Sequence, residues 1–472
     1  MIFSSYAFIF LFLPVVLTGY FLLSKTNRFI QHSFLFLASL FFYAYFSVSY
    51  LLIIVISIIV NYSLAKALAG NKTFSKPILT AGVLFNVGML GYFKYYNFFI
   101  DNINSLFSTN LLFRSILLPL GISFFTFQQL LFLKSAYKGE AEAGDFLSYC
   151  LFVSFFPKLA AGPIVLHSEM IPQFTEDKNR FVNSENIAKG LYMFSIGLFK
   201  KIVIADTVVV FVNNGFDIEN IGLAAAWITT LLYSLQIYFD FSGYSDMAIG
   251  LGKMFNIDIP QNFISPYKAE SVTEFWRKWH ITLGRALSAL VYFPLGGSRK
   301  GKARTYINLF IVFLVSGFWH GAAWTFIIWG ALHGLCCIFE RLFKKPLSNI
   351  PKAVRIAGTF ITVHLLRVLF RSPGIPIAIR MYKSMFSFSN ISISQLSVLV
   401  QDGWVSFPGI LNIIYILSLT VVLYAVVFRA KNSTCKFEAF SPQLKNMIFT
   451  ALILCISIIH LSRESIFIYF NF

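Results

Sequence analysis

The stretch VSYLLIIVISIIVNYSLA, Val48 to Ala65, runs for eighteen residues without a charged side chain. As a helix rising about 1.5 Å per residue, it covers most of the roughly 30 Å hydrocarbon core of a bilayer. Similar apolar windows stand near residues 6 to 23, 30 to 46, 78 to 93, 115 to 133, 146 to 161, 190 to 212, 223 to 252, 307 to 330, 354 to 370, 405 to 428 and 444 to 461. At about 20 residues to a crossing, the chain is expected to be an all-α polytopic membrane protein with on the order of ten to thirteen transmembrane or re-entrant helices. Several of these must be tilted or broken. Composition agrees: of 472 residues 57% are hydrophobic, 18% aromatic and 12% charged, where a soluble chain carries about 25% charged residues. A soluble multidomain enzyme is excluded, and residues 1–472 read as one integral membrane domain.

The net charge of +18, from 38 basic and 20 acidic residues, would suggest a nucleic-acid partner in a soluble protein. Here the cations sit at the ends of apolar windows, where the positive-inside rule accounts for them and no nucleic acid is needed. The first 24 residues contain no Lys or Arg, and Lys25 and Arg28 follow the first window. That window lacks the basic n-region of a signal peptide and is expected to stay in place with the N-terminus extracytoplasmic. Lys66, Lys72 and Lys76 come two crossings later and fall on the cytoplasmic side again. The run RKGKAR, Arg299 to Arg304, has four cations and no acid; it is either a topology anchor or a site that attracts phosphates. The five cysteines (150, 336, 337, 435 and 455) form no CxxC, and no zinc-protease, P-loop, dinucleotide or EF-hand pattern is present. No metal site is expected.

Residues 1–133 alternate apolar windows with short polar breaks and form a set of N-terminal helices. Residues 134–340 form a core in which charge, Pro and Gly concentrate up to about residue 306, and 341–472 supply C-terminal helices. Within the core, FFPKLAAGPI (Phe155 to Ile164) and NFISPYKAESVTEFWRKWH (Asn262 to His280) interrupt the apolar runs. Irregular backbone at membrane depth survives only where protein covers it or water reaches it, so a cavity is expected in the middle third. Residues 271 to 290 read as one helix, with Val272, Phe275, Trp276, Trp279, Leu283 and Leu290 recurring at three- and four-residue steps. Ser271 and Glu274 match a capping box. Such a helix either lies in the membrane interface or packs on its neighbours.

Polar groups inside apolar segments are the candidates for chemistry. SLQIYFDFSGYSDMAIG (Ser234 to Gly250) carries Asp240, Tyr244 and Asp246. A carboxylate there costs about 3 kcal/mol on insertion and should face the protein interior, either as a structural hydrogen-bond acceptor or in direct chemistry. Gly243 permits a bend or a close approach between the two acids. Of seven histidines, His320 lies in SGFWHGAAWTFIIWG and His280 closes WRKWH. An interhelical hydrogen bond is the plain reading of either. Burial disfavours an imidazolium, so His320 is expected neutral and able to take a proton from a hydroxyl that attacks a thioester, work contributing about 10² to 10⁴ in rate.

QIYFDFSGYSDMAIGLGKMFNIDIPQNFISPYKAESVTEFWRKWHITLG, followed by YFPLGGSRKGKARTYINLFIVFLVSGFWHGAAWTFIIWGALHG, resembles the membrane-bound O-acyltransferases, specifically the bacterial alginate O-acetylase branch. FFPKLAAGPI and the terminal FIYFNF fit the same branch. The likeness runs along essentially the whole chain and is strongest from Gln236 to Gly334. One departure follows WHITL, where branch members carry a charged, Tyr-containing segment and this chain reads GRALSALVYFPLGG.

The resemblance implies that His320 is the principal catalytic histidine and His280 the second. It also implies helices around a central tunnel, in which a cytoplasmic acetyl donor meets an extracytoplasmic acceptor. On this reading acetyl-CoA, or an equivalent thioester, is a donor substrate and no cofactor is bound. His280 orients the donor or stabilises the oxyanion. Trp276, Trp279 and Trp319 wall the tunnel with support from Asp240, Tyr244 and Asp246, while Arg277, Lys278, Arg299 and Lys300 attract the donor's phosphates. The expected partners are the bilayer, a polysaccharide such as alginate and an extracytoplasmic protein that accepts or passes on the acetyl group; the expected location is the bacterial inner membrane. Peptidoglycan O-acetylation and D-alanyl transfer to teichoic acid are the alternatives within the fold. A transporter is the alternative outside it, and it calls for inverted repeats that the sequence does not display.

Overall fold

The computed structural model describes residues 1–70, 73–141, 144–401, 407–461 and 467–468. Lys72, the first two residues of the 405–428 window and the last four of FIYFNF lie outside these. The described residues form helices, and extended pairing among them is confined to one antiparallel bridge between Phe263 and Trp279. Among them, six helices are long and apolar enough to cross a membrane: Ala7–Lys25, Val48–Gly70, Ser75–Phe107, Trp324–Leu342, Lys352–Arg371 and Ile410–Arg429. Ile281–Tyr292 and Leu444–Ile459 are shorter apolar helices. This is the all-helical polytopic architecture that the apolar windows require.

Polarity in these helices runs inward. Val48–Gly70 exposes Leu52 and Ile56 at 65% and 54% while burying Ser57 and Asn61 completely. A lipid-facing surface needs no polar group, and buried amides need partners. Asn86 supplies one, donating from Nδ2 to Asn61 Oδ1 at 2.6 Å.

The chain resolves into two compact units. The first comprises Met1–Ser195, Tyr244–Gln261 and Phe440–Ala451; the second comprises Ile196–Gly243, Asn262–Ala439 and Leu452–Phe472. In the first unit the FFPKLAAGPI stretch follows helix Phe146–Ser154 as a single turn, Phe156–Leu159, and then irregular chain. Its residues are buried, so protein covers the broken backbone. Lys158 donates to Gln128 Oε1 at 2.8 Å and to the Val153 carbonyl at 3.3 Å.

The second unit is built on the first part of Leu223–Met254, a helix of 32 residues. The helix runs through Gly243 without a break. A Cβ there would lie 2.8 Å from the Gly197 carbonyl oxygen, so the glycine serves close approach between backbones. Nearby, the π-helical turn Phe199–Ala205 presents Lys201, which bridges Asp206 at 2.8 Å and Asp240 at 2.6 Å. Two antiparallel helices, Gly301–His320 and Trp324–Leu342, complete the frame for the site.

Candidate active site

His320 is the last residue of its helix, and the glycines around it explain how it is aimed. A Cβ on Gly317 would lie 2.3 Å from the Phe326 carbonyl oxygen, and one on Gly330 would lie 2.3 Å from that of Phe313. The two helices therefore pack backbone to backbone, a geometry that only small residues allow. The His320 ring is buried against Trp319, Trp329 and Phe370, with centroids 5.0, 5.3 and 5.1 Å away.

His280 arrives by a different route. The single helix expected over 271–290 is two: Val272–Lys278 and Ile281–Leu287, the second continuing as a π turn, Ser288–Tyr292. The break is His280 itself, at φ 48° and ψ 51°. A non-glycine residue in that left-handed region costs about 1 kcal/mol or more and is held there by its surroundings. The clamp is the extended pairing of 262–264 with 278–281, in which Ile264 donates to Lys278 at 3.0 Å and Ile281 to Asn262 at 3.1 Å. Apolar spacing continued through the break, so periodicity alone could not reveal it.

The expected capping box is half present. Ser271 Oγ accepts from Glu274 N at 3.0 Å, while the Glu274 carboxylate takes the N–H of Glu270 at 2.8 Å and not that of Ser271. The helix end is completed by Glu340, which accepts from Val272 N and from Thr273 N at 2.9 Å. Val272 and Phe275 are buried, as packing on neighbouring helices requires.

The two histidine rings lie 6.4 Å apart, and Trp319 adjoins both. Phe241 stands edge-on to His280 at 4.7 Å. His280 lies outside the six crossing helices, and burial pushes its imidazole down to about 3, so it is neutral at pH 7. Its Nδ1 is 3.2 Å from Asn262 Oδ1. Asn262 Nδ2 and Trp329 Nε1 are buried and make no hydrogen bond among the described residues.

His320 opens on a cleft lined by Ile237, Phe275, Trp276, Trp279, Trp329, His333, Val363, Arg367 and Phe370. Its free interior is about 10 Å³, room for barely one water. Arg367 is the cation of the cleft: its guanidinium lies 4.4 Å from the Trp279 ring and 4.9 Å from that of Tyr267, and it donates to Tyr267 Oη and the Ser234 carbonyl. Aromatic faces and these acceptors make its burial tolerable. His333 Nδ1 accepts the indole N–H of Trp276 at 3.2 Å, which places the His333 proton on Nε2.

Of the residues singled out in the sequence, His280, His320, Trp276, Trp279 and Trp319 come together in this second unit. Asp240 belongs to the same unit and is held by Lys201, with the Ile468 N–H on its other oxygen at 3.0 Å. Tyr244 and Asp246 are buried in the first unit, where the Tyr244 ring stacks on Phe3 at 5.0 Å. A groove of about 1230 Å³ carries Arg277 together with Lys302, Arg341 and Lys344. Lys278 pairs with Glu274 at 2.6 Å, and Arg299 and Lys300 are exposed. Sequence reasoning missed Asn262, His333, Trp329, Arg367 and Phe370. Buried polarity in an apolar run marks His333 and Arg367, but nothing in their spacing points at His320.

Residues 10–355 match the membrane-bound O-acyltransferase family model. The chain belongs to that family. It is 41% identical to a peptidoglycan O-acetyltransferase of Helicobacter pylori, over 100% of this chain and 98% of that one. It is 39% identical to a protein named probable alginate O-acetylase in Pseudomonas aeruginosa, over 84% and 77% of the two chains. It is 27% identical to a teichoic acid D-alanyltransferase of Bacillus subtilis, over 52% and 66%. The protein is thus a multi-pass membrane O-acyltransferase.

Proposed function

We propose that this acyltransferase moves an acetyl group from a cytoplasmic thioester, acetyl-CoA or an equivalent, to hydroxyls of an extracytoplasmic polysaccharide across the bacterial inner membrane, with its N-terminus outside. The observation that carries the reading is the pair of histidine rings, 6.4 Å apart in an aromatic cleft, in the same unit as a groove lined by five cations and by the carboxylates of Glu270 and Glu340. Arg355 lines the groove and Arg367 the cleft. Twelve residues of helix separate them, about 18 Å, a depth suited to a pantetheine arm whose phosphates stay among Arg277, Lys302, Arg341 and Lys344.

His320 then acts as general base. Its neutral ring takes the hydroxyl proton as oxygen bonds to the thioester carbonyl carbon; the C–S bond breaks, and the proton passes to the departing thiolate. The attacking hydroxyl belongs either to the polymer or to a separate extracytoplasmic protein that relays the acetyl group to it. Glycan strands of peptidoglycan are the favoured acceptor over alginate, because the likeness to the peptidoglycan O-acetyltransferase spans both chains end to end.

The test replaces His320 by Ala in the native host and measures ester-linked acetate on purified peptidoglycan and exopolysaccharide. The expected loss is about 100-fold or more in protein that inserts normally. Full acetylation of every polymer by that variant refutes the assignment, and loss of D-alanine ester instead supports transfer to teichoic acid.

A further inference from the structure

We infer that Asn262 fixes the proton of His280 on Nδ1, so that the ring meets substrate through the lone pair of Nε2. This rests on the reading that places His280 in the catalytic site. Asn262 Oδ1 accepts the backbone N–H of Thr282 at 3.2 Å, and the Thr282 hydroxyl approaches the same atom at 3.0 Å. A backbone N–H only donates, so the atom it meets is oxygen and the amide cannot be turned over. That oxygen is also 3.2 Å from His280 Nδ1. It has no proton to give, so Nδ1 carries one. In a neutral imidazole Nε2 then has none.

Neither side chain has freedom to rearrange. The 262–264 segment is paired with 278–281, and Asn262 and His280 are each 1% exposed. Asn262 is accordingly a positioning residue, and the consequence for His280 is specific. In its neutral form it offers no N–H to an oxyanion, the second of the two roles considered for it above. It accepts instead, which suits it to hold a hydroxyl or an amide N–H of an incoming substrate.

The experiment uses full-length protein in nanodiscs, labelled with ¹⁵N-histidine, with the His280 signals assigned by their loss in His280→Gln. Expected in the native protein is a protonated Nδ1 and an unprotonated Nε2. Asn262→Leu should populate both tautomers and lower ester-linked acetate on the envelope polymer at least tenfold. Asn262→Asp keeps an acceptor oxygen at the same place and should restore the Nδ1–H form and most of the transfer. A native spectrum with the proton on Nε2 overturns the inference whatever the variants do, as does an unchanged tautomer in Asn262→Leu. Wild-type transfer by His280→Gln would instead overturn the catalytic reading of His280, leaving the tautomer assignment to the spectrum alone.

Discussion

Replacing Gly317 by Ala separates the helices that aim His320. The new methyl carbon would lie 2.3 Å from the Phe326 carbonyl oxygen and 3.2 Å from the Gly330 Cα, where ordinary contact begins at 3.4 Å. Both obstacles are backbone, so no rotamer change makes room, and the helices must part by 3.4 less 2.3, or about 1 Å. His320 sits three residues further along the same helix, and Trp329 faces it from the other. Overpacking of this kind costs about 1–3 kcal/mol, and a misplacement of about 1 Å at a reacting group costs about 100-fold in rate. The expected phenotype is a protein that still inserts but leaves about one hundredth of the ester-linked acetate on the envelope polymer, with lowered thermal stability in detergent. Gly330→Ala should match it, since a Cβ there is 2.3 Å from the Phe313 carbonyl. Gly88→Ala, with nothing within 4 Å of the added carbon, is the neutral control. Wild-type acetylation and stability in Gly317→Ala would refute the argument that backbone contact sets the position of His320.

Lys201→Met leaves Asp206 and Asp240 buried without their shared cation and should destabilise the protein by about 3–5 kcal/mol, while adding Asp206→Asn and Asp240→Asn should recover most of that loss. Unfolding measured in mixed detergent checks this, and a single variant as stable as wild type counts against it. His280 should stay neutral between pH 7 and pH 5, because burial holds it near 3 while an exposed imidazole titrates near about 6.5. Its folded value lies below its unfolded one, so stability is complete above about 6.5 and declines as pH falls toward 3; a ¹⁵N titration of His280 with a midpoint near 6 would contradict the burial argument.

Part of the candidate site could be read from residue type. His320 and His280 stand out because a polar ring in an apolar run needs a reason, and lipid offers no partner of its own. The same logic located Asp240, but its pairing with Lys201 depends on a π turn that brings position 201 beside position 240. The 271–290 segment misled because its apolar spacing is continuous through the point where the backbone turns left-handed at His280. What holds that turn is Asn262, eighteen positions earlier, through bonds that no periodicity records.

The sequence by itself therefore determined the solvent and the helical class, since these follow from local chemistry: hydrocarbon demands self-satisfied backbone and makes each buried polar residue conspicuous. It offered His280 and His320 as candidates, and the resemblance supplied the roles proposed for them. Only the tertiary structure decided the proton position on His280, the arrival of Arg367 over Trp279 and the backbone contact at Gly317. Each of these depends on atoms far apart in sequence meeting within a few ångströms, which is settled by packing and not by composition.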